Sequence, residues 1–149
     1  MTEKELEEKL HKQIPMTKLM ELTIVNINND KLLTKAPLDV NINDKGTAFG
    51  GSLNTMNIIS SWSLCFLLSQ NFKIEHSSIV IFKNETKFLR PVTKDIICYT
   101  FMPSSDELYA LEEKIKSKKS CSIKIYSQII ENEKVCVDFV GTYVIKDIS

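Results

Sequence analysis

The chemistry open to this chain is narrow. Its two histidines, His11 and His76, lie far apart in the sequence and read as exposed or capping residues, although His76 at the start of a strand can face a cleft. Ser60 and Ser61 have no His and Asp arrangement near them, which removes a serine nucleophile of the triad type. Cys65, Cys98, Cys121 and Cys136 are widely separated in apolar or strand-like surroundings, so they read as reduced core or half-buried thiols and not as a metal cluster. What remains is a turn. The segment from Ala36 to Leu53, APLDVNINDKGTAFGGSL, is rich in polar turn formers and holds three of the four glycines. Asp44 is the acid nearest its glycine pair, with Asn43 beside it; both also suit the bend that ends at Gly46.

Elements on either side must hold this turn in place. Before it, Leu6, Leu10 and Ile14 recur at a four-residue spacing and predict a short amphipathic helix ahead of Pro15. Two strands follow, over Glu21 to Asn28 and Lys31 to Ala36, joined as a hairpin through Asn29-Asp30. After the turn, Leu53 to Gln70 predicts a helix that is apolar on most of its circumference, so it must be wrapped by other elements. The period then shortens towards two. Ser77 to Leu89, Lys94 to Met102, Ser120 to Ile130 and Lys134 to Ile145 predict strands, and Ser104 to Lys118 predicts a helix opened by a Ser104 and Glu107 capping box. An α+β architecture accounts for this order: a curved antiparallel sheet wrapped around one long apolar helix. Long strands leave an edge that invites pairing with a second copy.

Composition narrows the classes further. The 149 residues fit a single domain over 1–149, with no repeat or low-complexity linker to divide it. Nineteen Lys and Arg balance nineteen Asp and Glu, so no net field attracts nucleic acid. The longest apolar run, within Ile58 to Leu68, is shorter than the about 18 residues of a membrane span. A polar, acidic beginning, MTEKELEEKLHKQ, is unlike a signal peptide, and the expectation is a cytoplasmic protein.

The run Asn43-Asp44-Lys45-Gly46-Thr47-Ala48-Phe49-Gly50-Gly51-Ser52-Leu53, followed by the helix that carries Trp62, resembles the hotdog-fold acyl thioesterases. The nearest resemblance is to the bacterial thioesterase domain that occurs alone or fused behind an acetyltransferase domain, and it extends over about the whole chain. It implies a homodimer joined edge to edge, and a dimer of dimers as a further step. It also implies acyl-CoA or acyl-carrier-protein thioesters as substrate at the dimer interface, with no cofactor. The glycine pair would begin the central helix, and a backbone amide of Gly50 or Gly51 would polarise the thioester carbonyl. The physics agrees, since a missing Cβ permits close approach and free N-terminal amides favour developing negative charge.

The chain also departs from that pattern. Phe49 stands where many relatives have histidine, Ile58 falls where a carboxylate is expected, and Ser52 to Gln70 contains no Asp or Glu. Water would then be positioned by Asp44, Asn43 or Asn57, or by Glu85 if its side of the strand faces the cleft. Asn54 and Asn57 share a face with the glycines, and a buried amide there needs a partner in substrate, water or the other subunit. Phe49, Asn54 and Arg90, the last near the expected CoA entrance, are the binding residues implied. Lys114, Lys116, Lys118 and Lys119 are either phosphate contacts or a solvated helix end. Trp62 and Phe66 read as core that also borders an acyl tunnel. Two other readings of the same sequence are a dehydratase or hydratase, which requires a histidine with an acidic partner, and an acyl-CoA or fatty-acyl binding protein without turnover.

Overall fold

Leucine spacing sets the first element. In the computed structural model, which describes residues Met1–Ser149, helix α1 (Glu3–Gln13) buries Leu6 and Leu10 on one face. Thr2 and Glu5 cap it reciprocally, each side chain accepting from the other's backbone N–H. The break falls at Ile14, and Pro15 opens a second short helix, α2 (Pro15–Leu19), because a missing N–H costs little at a first helical position. Strands β1 (Thr23–Ile27) and β2 (Lys31–Ala36) form the expected hairpin. Asn28 fixes its turn by accepting from the N–H groups of Asp30 and Lys31 at 2.8 and 3.0 Å.

Helix α3 (Gly50–Asn71) is 22 residues long and takes in the glycine pair, beginning ahead of the apolar pattern that starts at Leu53. It is followed by β3 (Ser77–Phe88), β4 (Ile96–Phe101), α4 (Ser105–Lys118), β5 (Ser120–Glu131) and β6 (Lys134–Asp147). The α4 cap is half of the expected box. Ser104 accepts from Glu107 N at 3.2 Å, and Glu107 makes no return bond.

All six strands join one antiparallel sheet in the order β1-β2-β4-β5-β6-β3, with α3 held in its hollow, the hotdog arrangement. Two apolar clusters seat the helix. Leu53, Met56, Ile59 and Leu67 pack with α1, β1, β2 and β4, whereas Leu64, Cys65 and Leu68 pack with α4, β5 and β6. On β6, the rings of Phe139 and Tyr143 meet over Gly141, where a Cβ would lie 2.7 to 2.9 Å from their carbons. Tyr143 then reaches α3 and donates to Ile58 O at 2.7 Å.

The two sheet edges differ. At β1 the backbone N–H groups of Ile24 and Ile27 are taken by carboxylates of α1, Glu7 Oε1 at 2.8 Å and Glu3 Oε1 at 3.2 Å. At the opposite edge β3 makes one side-chain bond to its backbone, Trp62 Nε1 to Ile79 O at 3.0 Å, and leaves Val80 and Phe82 exposed at 53% and 69%. An edge of this length with apolar side chains is a template for pairing.

Candidate functional site

The turn before α3 is held by its own side chains. Asn43 Oδ1 accepts from the N–H groups of Lys45 and Thr47, and Asn43 Nδ2 donates to Thr47 Oγ1, which folds the bend. Gly46 sits at φ +80, a conformation that favours glycine. Ala48 N donates to Val92 O and Phe49 N to Asn41 O, both at 2.8 Å, so the backbone entering the helix is fixed on both sides.

The helix it enters has no cap. Thr2 and Ser104 serve α1 and α4, but at α3 the capping position is Phe49, which offers no acceptor, and no acidic residue lies in the first turn. The first α3 bond runs from Leu53 N to Phe49 O, leaving the amides of Gly50, Gly51 and Ser52 without an acceptor in the chain. A cleft of about 330 Å³ opens beside them, lined by Ala48, Gly50, Leu53, Phe88, Leu89, Arg90 and Pro91. Phe88 lies against Gly50, 3.8 Å from where a Cβ would be, and the Phe49 ring lies against Gly51, 2.4 Å from the corresponding position. Both rings are more than half exposed, at 55% and 56%. Arg90 is held at the rim, donating Nη1–H to Val135 O at 2.9 Å, while Leu89 N and Arg90 N share Cys136 O. The arrangement offers amide donors, an apolar wall and one cation, enough to polarise a carbonyl and hold an apolar group with an anion beyond it.

Comparison with known proteins adds an independent finding. A family model described as "Putative thioesterase (yiiD_Cterm)" matches residues 3–147. The chain belongs to that family. A search of curated proteins finds no match. Among solved structures, family and fold are echoed by a protein of unknown function from Chlorobaculum tepidum, at 30% identity over 97% of this chain and 94% of the other, with a TM-score of 0.91. A protein from Shewanella oneidensis described as "the putative thioesterase" is 25% identical over 95% of each chain, with a TM-score of 0.86. A thioesterase of Haemophilus influenzae shares the fold at 14% identity over 99% of this chain and 92% of the other, with a TM-score of 0.73.

The residues expected from the sequence fall into four places: the cleft, the turn before α3, the outer face of β3 and the buried polar cluster under α3. Gly50 and Arg90 line the cleft, and Phe49 and Gly51 stand beside its mouth. Asn43 is spent on the loop, and Asp44 points to solvent with its side chain 82% exposed, 3.4 Å from Lys45. Glu85 sits on the face of β3 turned away from α3: its register partner is Val140, whereas Thr86 pairs with the core residue Phe139 and bonds to Asn54. It borders a shallow hollow with Lys87, Tyr126 and Asp138.

Asn57 is fully buried over the sheet. Its Oδ1 accepts from Ser127 Oγ at 2.7 Å and Cys98 Sγ at 3.4 Å, and its Nδ2 donates back to Leu53 O. Thr34, Ser60 and Thr100 complete this interior polar cluster, and burial pushes the Cys98 thiol up. Trp62 and Phe66 stack at 5.8 Å, with Lys9 over Phe66. No group of three or more His, Cys, Asp or Glu is placed to hold a metal ion, and no helix is long and apolar enough to cross a membrane.

The sequence reading missed Phe88, Leu89 and Leu53 as walls of the cleft. Their signal was present as an apolar strand end meeting Arg90-Pro91, but only the antiparallel course of β3 against α3 brings that end to Gly50. A larger hollow, about 570 Å³, lies on the outer face of the sheet around Ile97 and Tyr99 and shares no lining residue with the cleft beside Gly50.

Proposed function

We propose that the protein hydrolyses acyl thioesters of coenzyme A or of an acyl carrier protein. The observation that carries the reading is the uncapped start of α3, whose Gly50, Gly51 and Ser52 amides have no acceptor and whose first residue, Gly50, lines an apolar cleft. The thioester oxygen sits against the amides of Gly50 and Gly51, which gain strength as negative charge develops on it. Leu53, Phe88 and Leu89 receive the acyl group, and the Phe49 ring borders it. Arg90 at the rim suits the phosphate of coenzyme A or of the carrier's prosthetic arm.

The same reading makes the protein a homodimer paired along β3. One edge of the sheet is already occupied by Glu3 and Glu7, which leaves β3 as the edge for a second copy, and that pairing runs past Phe88 and the cleft. The reaction belongs in the cytoplasm, where four free thiols stay reduced.

Thiol release from short, medium, long and aromatic acyl-CoAs tests the proposal. Release by the native protein that falls at least tenfold in Gly50→Ala supports it. An Asp44→Ala variant run in parallel shows whether the loop acid assists water. A second reading, binding without turnover, is favoured by the cleft lining, which has no carboxylate or imidazole. Saturable binding of acyl-CoA with no thiol release would select it.

A further inference from the structure

One polar cluster on the cleft side of α3 has no place in the reading so far. Asn54 lies one helical turn beyond Gly50, and its side chain meets Thr86 of β3. Thr86 Oγ1 is 2.8 Å from Asn54 Oδ1 and 2.7 Å from Asn84 Oδ1. A hydroxyl carries one proton and cannot donate well to two carbonyl oxygens, so one of the two amides turns over and donates its N–H to Thr86.

The surroundings decide which one turns. Side chains on a helix lean towards its N-terminus, so the free end of the Asn54 amide is directed towards the first turn of α3. Three unpaired N–H groups and the positive end of the helix dipole lie there, and they favour an oxygen over a second NH₂ group. Asn54 Nδ2 therefore donates to Thr86 Oγ1, Thr86 donates to Asn84 Oδ1, and Asn54 Oδ1 is left as an acceptor beside the free amides. Asn84 is exposed and completes its bonding with solvent.

We infer that the Asn54, Thr86 and Asn84 chain positions the attacking water, with Asn54 Oδ1 as its acceptor and Thr86 as the residue that fixes the amide. The inference rests on the thioesterase reading above and supplies what that cleft lacks, a group to orient the nucleophile. Water oxygen bonds to the thioester carbonyl carbon while the carbonyl electrons move onto the oxygen held by Gly50 and Gly51. As that intermediate collapses, the C–S bond breaks with its electron pair on sulfur. One water proton reaches the leaving thiolate and gives the free thiol; the other leaves to solvent and gives the carboxylate. Asn54 accepts a hydrogen bond throughout and never the proton, since an amide is no general base. Asn54 and Thr86 do not titrate, so no carboxylate or imidazole step shapes the rate between about pH 5 and 8.

Three variants test this: Thr86→Val, Thr86→Ser and Asn54→Asp, each checked for native circular dichroism. Their kcat is measured on an acyl-CoA the native protein cleaves, and their affinity is measured on a thioether analogue that cannot be cleaved. The expected result is a kcat at least tenfold lower in Thr86→Val, with analogue affinity within twofold of native and recovery in Thr86→Ser. Asn54→Asp places a true base at the water and raises kcat about tenfold, with a new rise in rate through the carboxylate pKa. Equal kcat in Thr86→Val and native protein overturns the inference and leaves the thioesterase reading intact. So does a parallel loss of analogue binding and turnover, or an Asn54→Asp enzyme with the native rate and pH profile. Absence of thiol release by the native protein from every acyl-CoA overturns both.

Discussion

Ser127 donates its hydroxyl proton to Asn57 Oδ1 at 2.7 Å, joining β5 to the second turn of α3 across 70 residues of sequence. Neither side chain touches solvent, and Cys98 adds a weaker bond to the same oxygen. This contact fixes the rotation of α3 over the sheet, and with it the face that carries Gly50 at the cleft and Asn54 against Thr86. Asn57→Ala strips partners from Ser127 and Cys98. A loss of about 1–3 kcal/mol in unfolding free energy is expected, because the buried Ser127 hydroxyl loses its shortest acceptor and keeps only the longer contacts to Thr100 and Cys98. Urea denaturation measures it.

At the helix start, stability and turnover are expected to separate. An added Cβ on Gly50 would meet Phe88 at 3.8 Å, an ordinary contact, yet it would project into the cleft. Gly50→Ala should keep or slightly raise the melting temperature, since alanine favours a helix by about 0.5–1 kcal/mol over glycine, while thiol release falls. At Gly51 the same change collides with the Phe49 ring, 2.4 Å away. That ring is exposed and can swing aside, so Gly51→Ala should cost less than about 1 kcal/mol, with its effect on acyl-CoA affinity altered when Phe49→Ala is combined with it.

The open strand edge makes a prediction about assembly. Val80 and Phe82 are exposed apolar residues on β3, and lysines there would repel across a two-fold axis. Val80→Lys with Phe82→Lys should convert a dimer to a monomer in sedimentation equilibrium without loss of the circular dichroism of the fold. A native protein that is monomeric at all concentrations would contradict β3 pairing.

The other edge carries a pH dependence. Glu3 is held below its ordinary 4.5, first by its own backbone N–H and then by that of Ile27. A depressed carboxylate contributes stability that is fully present above its unfolded pKa and is lost as pH falls through the folded value. The hold of α1 on β1 should therefore be complete at neutral pH and loosen below about pH 4.5. Hydrogen exchange at the Ile27 amide, followed as pH falls and compared with Glu3→Gln at neutral pH, reports it. Protection in the variant equal to native would show that the carboxylate holds nothing.

Much of the fold could be read along the chain because it is set by local period and by end signals. Leu6 and Leu10, the continuous apolar run from Leu53, and the alternation of β5 and β6 depend on neighbours three, four or two residues away. The glycine pair likewise marked the start of the central helix beside the candidate cleft, through its composition and its resemblance to a known family. Pairing across the fold was another matter. Asn43 and Asp44 are adjacent, yet one is consumed by its own turn and the other points to solvent, a difference set by which hydroxyl and amides the bend brings to Asn43.

Asn54 and Asn57 are three residues apart on one helix, and the sequence gives them the same polarity. The tertiary structure sends Asn54 to Thr86 at the cleft side and Asn57 to Ser127 inside the sheet. It turns Glu85 outward and Thr86 inward through the alternation of a strand whose facing only the register with β6 defines. The sequence by itself therefore determined the long elements, their order and the glycine turn, since each rests on short-range sterics and hydrogen bonding, whereas the short helix Pro15–Leu19 and the missing cap at Phe49 came only with the structure. The tertiary structure alone decided which polar groups meet at that turn, because facing and contact depend on how α3 is rotated and where β3 crosses it.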